Sequence, residues 1–267
     1  MTTLRPLTAN DFDALVAAFV EAFSDYSVPM AMTPEAMRSI IARRGVDFGA
    51  SIGAFDGQRM VGFTINGIDG DRGYDSGTGV VPSHRRTGLG RQIMDTSIAV
   101  LRARGIRNYQ LEVLDGNRNA IALYGALGFR ETRALQCWTY SSAAETVMRE
   151  SPDVDLETLA SWCDVAPSWQ NSVASIRRAI EPHMILGNSD AAIILYPQSG
   201  DVPLFAVRPT HRRRGLGRQL LAAAAARSVR PLRILNIDER AHGIASFLAA
   251  AGATKLVRQL EMLRPLD

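Results

Sequence analysis

The sequence predicts an α/β protein, mixed in the α+β manner, built as two tandem domains, each a mixed, mostly antiparallel sheet flanked by helices. Two observations carry that expectation. An eleven-residue segment beginning at His84, HRRTGLGRQIM, returns from His211 as HRRRGLGRQLL with eight positions identical, which marks a duplication at an offset of 127 residues. Within each half, the apolar pattern also moves in the same order from helical spacing to alternation and then to strand and helix in turn. A chain of 267 residues accommodates two domains of ordinary size.

In the first half, Phe12, Leu15, Val16, Phe19 and Phe23 recur at helical spacing, predicting a helix over 11–23 with Asn10 or Asp11 as N-cap. Thr33 followed by Pro34 opens a second helix over 33–44. Strands over 50–55 and 59–68 alternate around Asp56-Gly57, a hairpin signature, and a third strand covers 74–81. A helix over 89–104 ends at Gly105, a strand covers 109–114, a helix over 119–127 ends at Gly128, and a last strand covers 133–140. The second half repeats the order after the polar SSAAE stretch. Helices cover 153–162 and 172–180, then strands 184–187, 191–196 and 204–207, a helix 216–227, a strand 232–237, a helix 241–250 and a strand 255–263. The expected domains are 1–142 and 143–267.

Composition narrows the function classes. With 46% apolar and 21% charged residues, the chain reads as an ordinary globular protein. Cys137 and Cys163 lack CxxC spacing and a local His partner, so free thiols in a reducing cytoplasm are expected, and no metal site. The first ten residues lack the apolar core of a signal peptide, and no apolar run reaches the ~18 residues of a membrane span. Net charge is only +3, and the arginines cluster in two short loops without interleaved aromatics, so neither nucleic acid nor membrane is an expected partner.

Residues 85–90, Arg-Arg-Thr-Gly-Leu-Gly, follow a strand and open a helix, so backbone N–H groups and the positive helix end converge on one spot. Gly88 and Gly90 let an anion approach the backbone, and Arg85, Arg86 and Arg91 can add charge-assisted hydrogen bonds, which suits a diphosphate. No Lys-Ser/Thr pair follows the glycines, so this is no P-loop. Ile93 stands where a dinucleotide fingerprint needs its third glycine, and kinase signatures are absent.

At this point the sequence resembles the GNAT superfamily of acyl-CoA-dependent N-acyltransferases. Residues 85–90 and 212–217 both fit its Arg/Gln-x-x-Gly-x-Gly/Ala signature, and LEVLDGNRNAIALYGALGF fits its next motif through Asn117, Ala120, Leu123, Tyr124, Gly128 and Phe129. AFSDYSVPM and APSWQNS resemble segments of bacterial tandem members. The resemblance implies two tandem GNAT-type domains, with acetyl-CoA as cosubstrate held by Val80, Val81, Arg85, Arg86, Thr87, Gly88, Leu89, Gly90, Arg91, Asn117 and Ala120. It implies Tyr124 as the acid that protonates the departing thiolate, with Leu123 and Leu127 on the core side of that helix. A core tyrosine in the stripe Ala120, Leu123, Tyr124, Leu127 has the same spacing. The general base stays open among Asp75, Glu112, Asp25 with Tyr26, and a water chain.

In the second half Leu248 stands in place of Tyr124, Gly252-Ala253 replaces Gly128-Phe129, and no asparagine matches Asn117. The expectation is therefore a catalytic first domain and a degenerate second one. The function expected is acetyl transfer to an amine of a small-molecule or peptide acceptor, by a cytoplasmic monomer with an internal pseudo-dimer or by a homodimer. The alternative is a non-catalytic acyl-CoA-binding or sensing protein.

Overall fold

The computed structural model describes all residues except Met1, 26–31, 142–147, 152–153 and Asp267. Tyr26, most of the segment 22–30, and the expected domain boundary at 142 therefore lie outside the described residues. Two compact units emerge, Met1–Thr132 with Glu261–Asp267, and Arg133–Leu260.

The first unit opens with a strand that the sequence did not announce, β1 (Thr3–Pro6), too short for an alternating pattern. Helices α1 (Phe12–Ala22) and α2 (Pro34–Arg44) follow. Thr33 caps α2 as expected, its hydroxyl accepting from the Ala36 N–H at 3.2 Å. Asp11 makes no capping bond to α1. Its carboxylate instead takes the Thr8 N–H and hydroxyl and a two-pronged bond from Arg5, closing a short 3-10 turn ahead of the helix. Then come β2 (Ile52–Asp56), β3 (Arg59–Asp69), β4 (Arg72–Val80), α3 (Leu89–Ala103), β5 (Asn108–Leu114) and α4 (Arg118–Ala126).

Strands β1 to β4 are antiparallel neighbours, and β5 joins β4 in parallel after the α3 crossover. Both faces of the sheet are covered. Leu15, Phe19 and Met37 from α1 and α2 pack with Phe63 and Ile65 on one face, while Leu89 and Ile93 of α3 pack with Ile52, Ala54 and Val61 on the other. Covering on both sides explains why β3 is buried almost throughout.

The second unit contains β6 (Arg130–Tyr140, from Arg133), α5 (Leu156–Ser161), α6 (Val173–Arg178), a three-stranded sheet of β7 (Met184–Asn188), β8 (Ala191–Leu195) and β9 (Phe205–Val207), then α7 (Leu216–Ala225), β10 (Leu232–Asp238) and α8 (His242–Ala251). The last strand, β11 (Thr254–Pro265), begins in this unit and ends in the first.

Each unit thus closes with a strand end from the other half of the sequence. From Leu135 onward β6 pairs with β10. In the first unit Glu261 accepts from Gln110 and Thr132, both at 2.8 Å, Arg264 donates to the Leu127 carbonyl, and the Leu266 N–H bonds the Arg107 carbonyl at 2.7 Å. The compact units consequently divide at Thr132 and Leu260. No described helix is long and apolar enough to cross a membrane.

Candidate functional site

The loop of residues 85–90 repeats its conformation in the second unit. Arg86 and Arg213 lie in the left-handed region at φ 60° and 62°, and Gly88 and Gly215 at 84° and 82°. Gly88 then serves as N-cap of α3 and Gly215 of α7, without a side-chain cap. The first-turn amides at Leu89, Gly90 and Arg91 have no acceptor inside the helix, so they turn toward the loop's hollow. A Cβ added at Gly88 meets nothing within 4 Å, so the space in front of that glycine is open.

The arginines divide by role. Arg85 donates to the Val80 carbonyl at 3.0 Å, to the Ala22 carbonyl at 2.7 Å and to Asp25 at 2.6 Å, which fastens the end of α1 to the end of β4. Arg212 makes the same set to Val207, Trp162 and Asp164 in the second unit. Arg86 is exposed and makes no ion pair among the described residues, while Arg91 lies 3.5 Å from Asp95 along the helix. The Thr87 hydroxyl donates to the His84 carbonyl at 2.8 Å, and His84 stands 3.8 Å from Asp56.

Next to the loop the sheet opens. The parallel ladder of β4 and β5 ends at Asp75 opposite Leu111, although β4 runs on to Val80 and β5 to Leu114. Past that rung the strands form the two prongs of a fork. Opened strands present backbone N–H and C=O groups that an extended, amide-bearing chain can pair with. The Val81 N–H is already bonded to the Val61 carbonyl at 3.0 Å. By antiparallel alternation, the neighbouring Val80 N–H is directed to the fork side. Of the two sequence-predicted amides, only that of Val80 meets the fork.

The catalytic candidates separate at this fork. Glu112 sits one position past the last rung, half-buried, and its Oε2 accepts from the Tyr74 hydroxyl at 3.0 Å. Asp75 is buried behind the fork on the α3 side, where Oδ1 accepts from the Gly77 N–H at 2.9 Å and Oδ2 from the Thr78 hydroxyl at 2.7 Å. Burial pushes the Asp75 carboxyl up to about 6, opposed by those hydrogen bonds and by Arg44. Asp25 is on the surface, paired with Arg85.

Tyr124 is buried on α4 with its ring edge-on to Phe129 at 5.8 Å, an arrangement fixed by Gly128 at φ 86° and the Phe129 N–H returning to the Tyr124 carbonyl. The expectation that Leu123 takes the core side is reversed. Leu123 is half-buried and reaches toward Gly90, whereas Tyr124 and Leu127 point inward. Asn117 is the N-cap of α4, its side chain accepting from the Ala120 N–H at 3.2 Å.

Sequence reasoning missed the polar layer around Asp75. Thr64 and Asn66 of β3, Thr78, Ser97 of α3 and Tyr109 of β5 join it, with Tyr109 donating to Asn66 at 2.6 Å and Asn66 to Ser97 at 2.7 Å. Burial and the nearby Asp75 charge hold the Tyr109 hydroxyl well above its usual range. The available signal was Thr64, Asn66 and Thr78 standing among apolar residues on strands.

The second unit has a fork too. Val202 bonds the Arg233 carbonyl at 2.9 Å, beyond which β9 and β10 part around a cavity of about 470 Å³ lined by Leu204, Phe205, Ile234, Ile237, Phe247 and the Arg213–Gly217 side of the loop. Leu248 is fully buried in the apolar core, and Ala241 replaces the Asn117 cap.

In each unit, then, a strand–loop–helix turn with an open hollow stands beside a forked sheet. Residues 13–129 match the acetyltransferase (GNAT) family. Over 73 residues it is 38% identical to the [ribosomal protein bS18]-alanine N-acetyltransferase of Escherichia coli (strain K12), covering 27% of this chain and 49% of that protein. Over 139 residues it is 33% identical to the mycothiol acetyltransferase of Thermobispora bispora, covering 48% of this chain and 45% of that protein. The chain thus spans about half the length of these curated relatives. In fold it is similar to a tandem GNAT protein from the clavulanic acid biosynthesis pathway, at TM-score 0.69 and 16% identity, covering 100% of this chain and 99% of that one.

Proposed function

We propose that the first unit transfers an acetyl group from acetyl-CoA to a primary amine, with the diphosphate on the loop of residues 85–90 and the thioester in the fork. The observation that carries this reading is the ladder ending at Asp75 and Leu111 directly beside the anion loop. The backbone N–H groups of Gly88, Leu89, Gly90 and Arg91 and the exposed Arg86 hold phosphate oxygens. Arg85 and Asn117 contribute by shaping the loop and capping α4. The Val80 N–H polarises the thioester carbonyl.

Glu112 is the base that fits this geometry. It stands at the root of the fork, and Tyr74 orients its carboxylate. It takes the proton of the incoming amine, whose lone pair attacks the carbonyl carbon. The C–S bond then breaks, and the Tyr124 hydroxyl protonates the thiolate. Because the relatives act on an alanine of a ribosomal protein and in mycothiol acetylation, the acceptors to try first are alanine-initiated peptides and small amino compounds.

The test is release of the coenzyme A thiol from acetyl-CoA across such a panel. Once an acceptor is found, Tyr124→Phe and Glu112→Gln should each lower kcat on the order of 10²- to 10⁴-fold with acetyl-CoA affinity kept. Wild-type rates in both folded variants would remove these two residues from the mechanism.

A second reading attaches to the second unit, whose cavity and repeated loop support binding of an acyl-CoA there. Without the hydroxyl that Leu248 replaces, that unit would hold the ligand and leave it intact.

A further inference from the structure

The bulge in β4 falls at the root of the fork. Asn66 pairs with Asp75 but Ile65 pairs with Gly77, so Ser76 is an extra residue that redirects the strand. Asp75 is also the last β4 residue in the ladder with β5. Both features are secured by one carboxylate, which spans the bulge to the Gly77 N–H and the Thr78 hydroxyl and takes a longer bond from Thr64 at 3.3 Å. Arg44 grips the same bulge from α2, donating to the Ser76 carbonyl at 2.7 Å and its hydroxyl at 3.0 Å.

The fold does not require this polar layer. By the 127-residue offset of the two loops, Asp75, Thr78 and Ser97 correspond to Val202, Phe205 and Ala224. By strand pairing, Thr64 opposite Thr78 corresponds to Ile193 opposite Phe205. All four replacements are buried and apolar. Among the described residues, a carboxylate fully enclosed by a polar layer stands at the root of the first fork, and Val202 stands at that position in the second.

We propose that Asp75 is a positioning residue: by holding the bulge at Ser76, its carboxylate sets residues 77–80 of the β4 prong at the distance and angle that the thioester arm requires. The proposal rests on the reading that the first unit holds acetyl-CoA in its fork. An ionised Asp75 accepts from all its donors at once. A protonated one must itself donate, which reverses the bond to Thr78 and takes away the charge assistance that holds the prong. The titratable and charged groups packed around it are Tyr109 on β5 and Arg44 on α2. Burial holds the Tyr109 hydroxyl well above its usual range, so Asp75 is the group of this layer that changes charge near pH 6.

The experiment is calorimetry on the full chain with two probes, acetyl-CoA and its nucleotide half, 3′-phosphoadenosine 5′-diphosphate. The nucleotide half reports the anion loop; the ratio of the two affinities reports the prong. Asp75→Asn and Thr78→Val should bind the nucleotide half as wild type does and lose about tenfold in acetyl-CoA affinity. In wild type the ratio should fall as pH drops from 7 to 5, and in Asp75→Asn that titration should vanish. Should a variant fail to fold, the wild-type pH dependence of the ratio decides by itself. An unchanged ratio in folded variants, or a flat wild-type ratio, overturns the proposal. Equal weakening of both probes also overturns it, since that reports general loosening of the unit. If wild type binds the nucleotide half but not acetyl-CoA, the fork reading itself falls, and the assignment of Asp75 with it.

Discussion

At the scale of the residue, a buried carboxylate such as Asp75 costs stability unless its bonds make up the difference. Burial raises its folded pKa to about 6, above an unfolded value near 3.9, so the folded state binds the extra proton between those values. Stability from this group is therefore full below about pH 4 and is lost as pH rises through about 6. Asp11 works in the opposite sense. The Arg5 guanidinium holds its carboxyl well below the usual range, so its stabilisation is present at neutral pH and lost as acid protonates it. The difference between wild type and Asp75→Asn isolates the first effect. The unfolding free energy of the variant minus that of wild type should grow by about 2 kcal/mol from pH 4 to pH 7. Denaturant titrations at both pH values check this, and a difference that shrinks over that range contradicts it. Little of this was legible in the sequence. Gly88 and Arg86 act through local backbone geometry that a short motif encodes, whereas the meaning of Asp75 depends on Thr64, Ser97 and Tyr109, brought together from three other elements.

At the scale of the element, Arg85 is a motif residue whose bonds run to the protein's own frame. Its guanidinium joins the last carbonyl of α1, Asp25 and the last carbonyl of β4, and Arg212 repeats the arrangement on Trp162, Asp164 and Val207. A planar fork of donors is suited to several fixed oxygens in a way that a lysine ammonium is not. Arg85→Ala is expected to cost about 1–2 kcal/mol of stability, with Arg85→Lys failing to restore it, and to leave the salt dependence of acetyl-CoA binding unchanged. Thermal midpoints and affinities at two salt concentrations measure both. A weaker salt dependence in Arg85→Ala would make it a direct phosphate contact instead. Most helices and strands were legible because capping residues and apolar spacing are local, Thr33 with Pro34 and Gly88 being examples. The partner of each terminal strand was not. Whether β5 is followed in the sheet by β6 or by the end of β11 depends on contacts such as Glu261 to Gln110 and Thr132, made across more than a hundred residues.

At the scale of the whole molecule, one duplicated framework carries two differently filled forks. The first has Glu112, Tyr124 and the buried polar layer; the second has an apolar slot and Leu248. On the proposed function, acetyl transfer belongs to the first unit and depends on its loop. Gly88 and Gly215 share a left-handed backbone and open space for a Cβ, so Val at either position imposes a similar strain and intrudes where a phosphate would lie. Each variant thus controls for the other. The most direct measurement is acetyl-CoA-dependent turnover by Gly88→Val and Gly215→Val, with binding stoichiometry from calorimetry alongside. Gly88→Val should abolish turnover and remove the site in the first unit, while Gly215→Val should keep turnover. Loss of turnover in a folded Gly215→Val protein, with Gly88→Val still active, would contradict it.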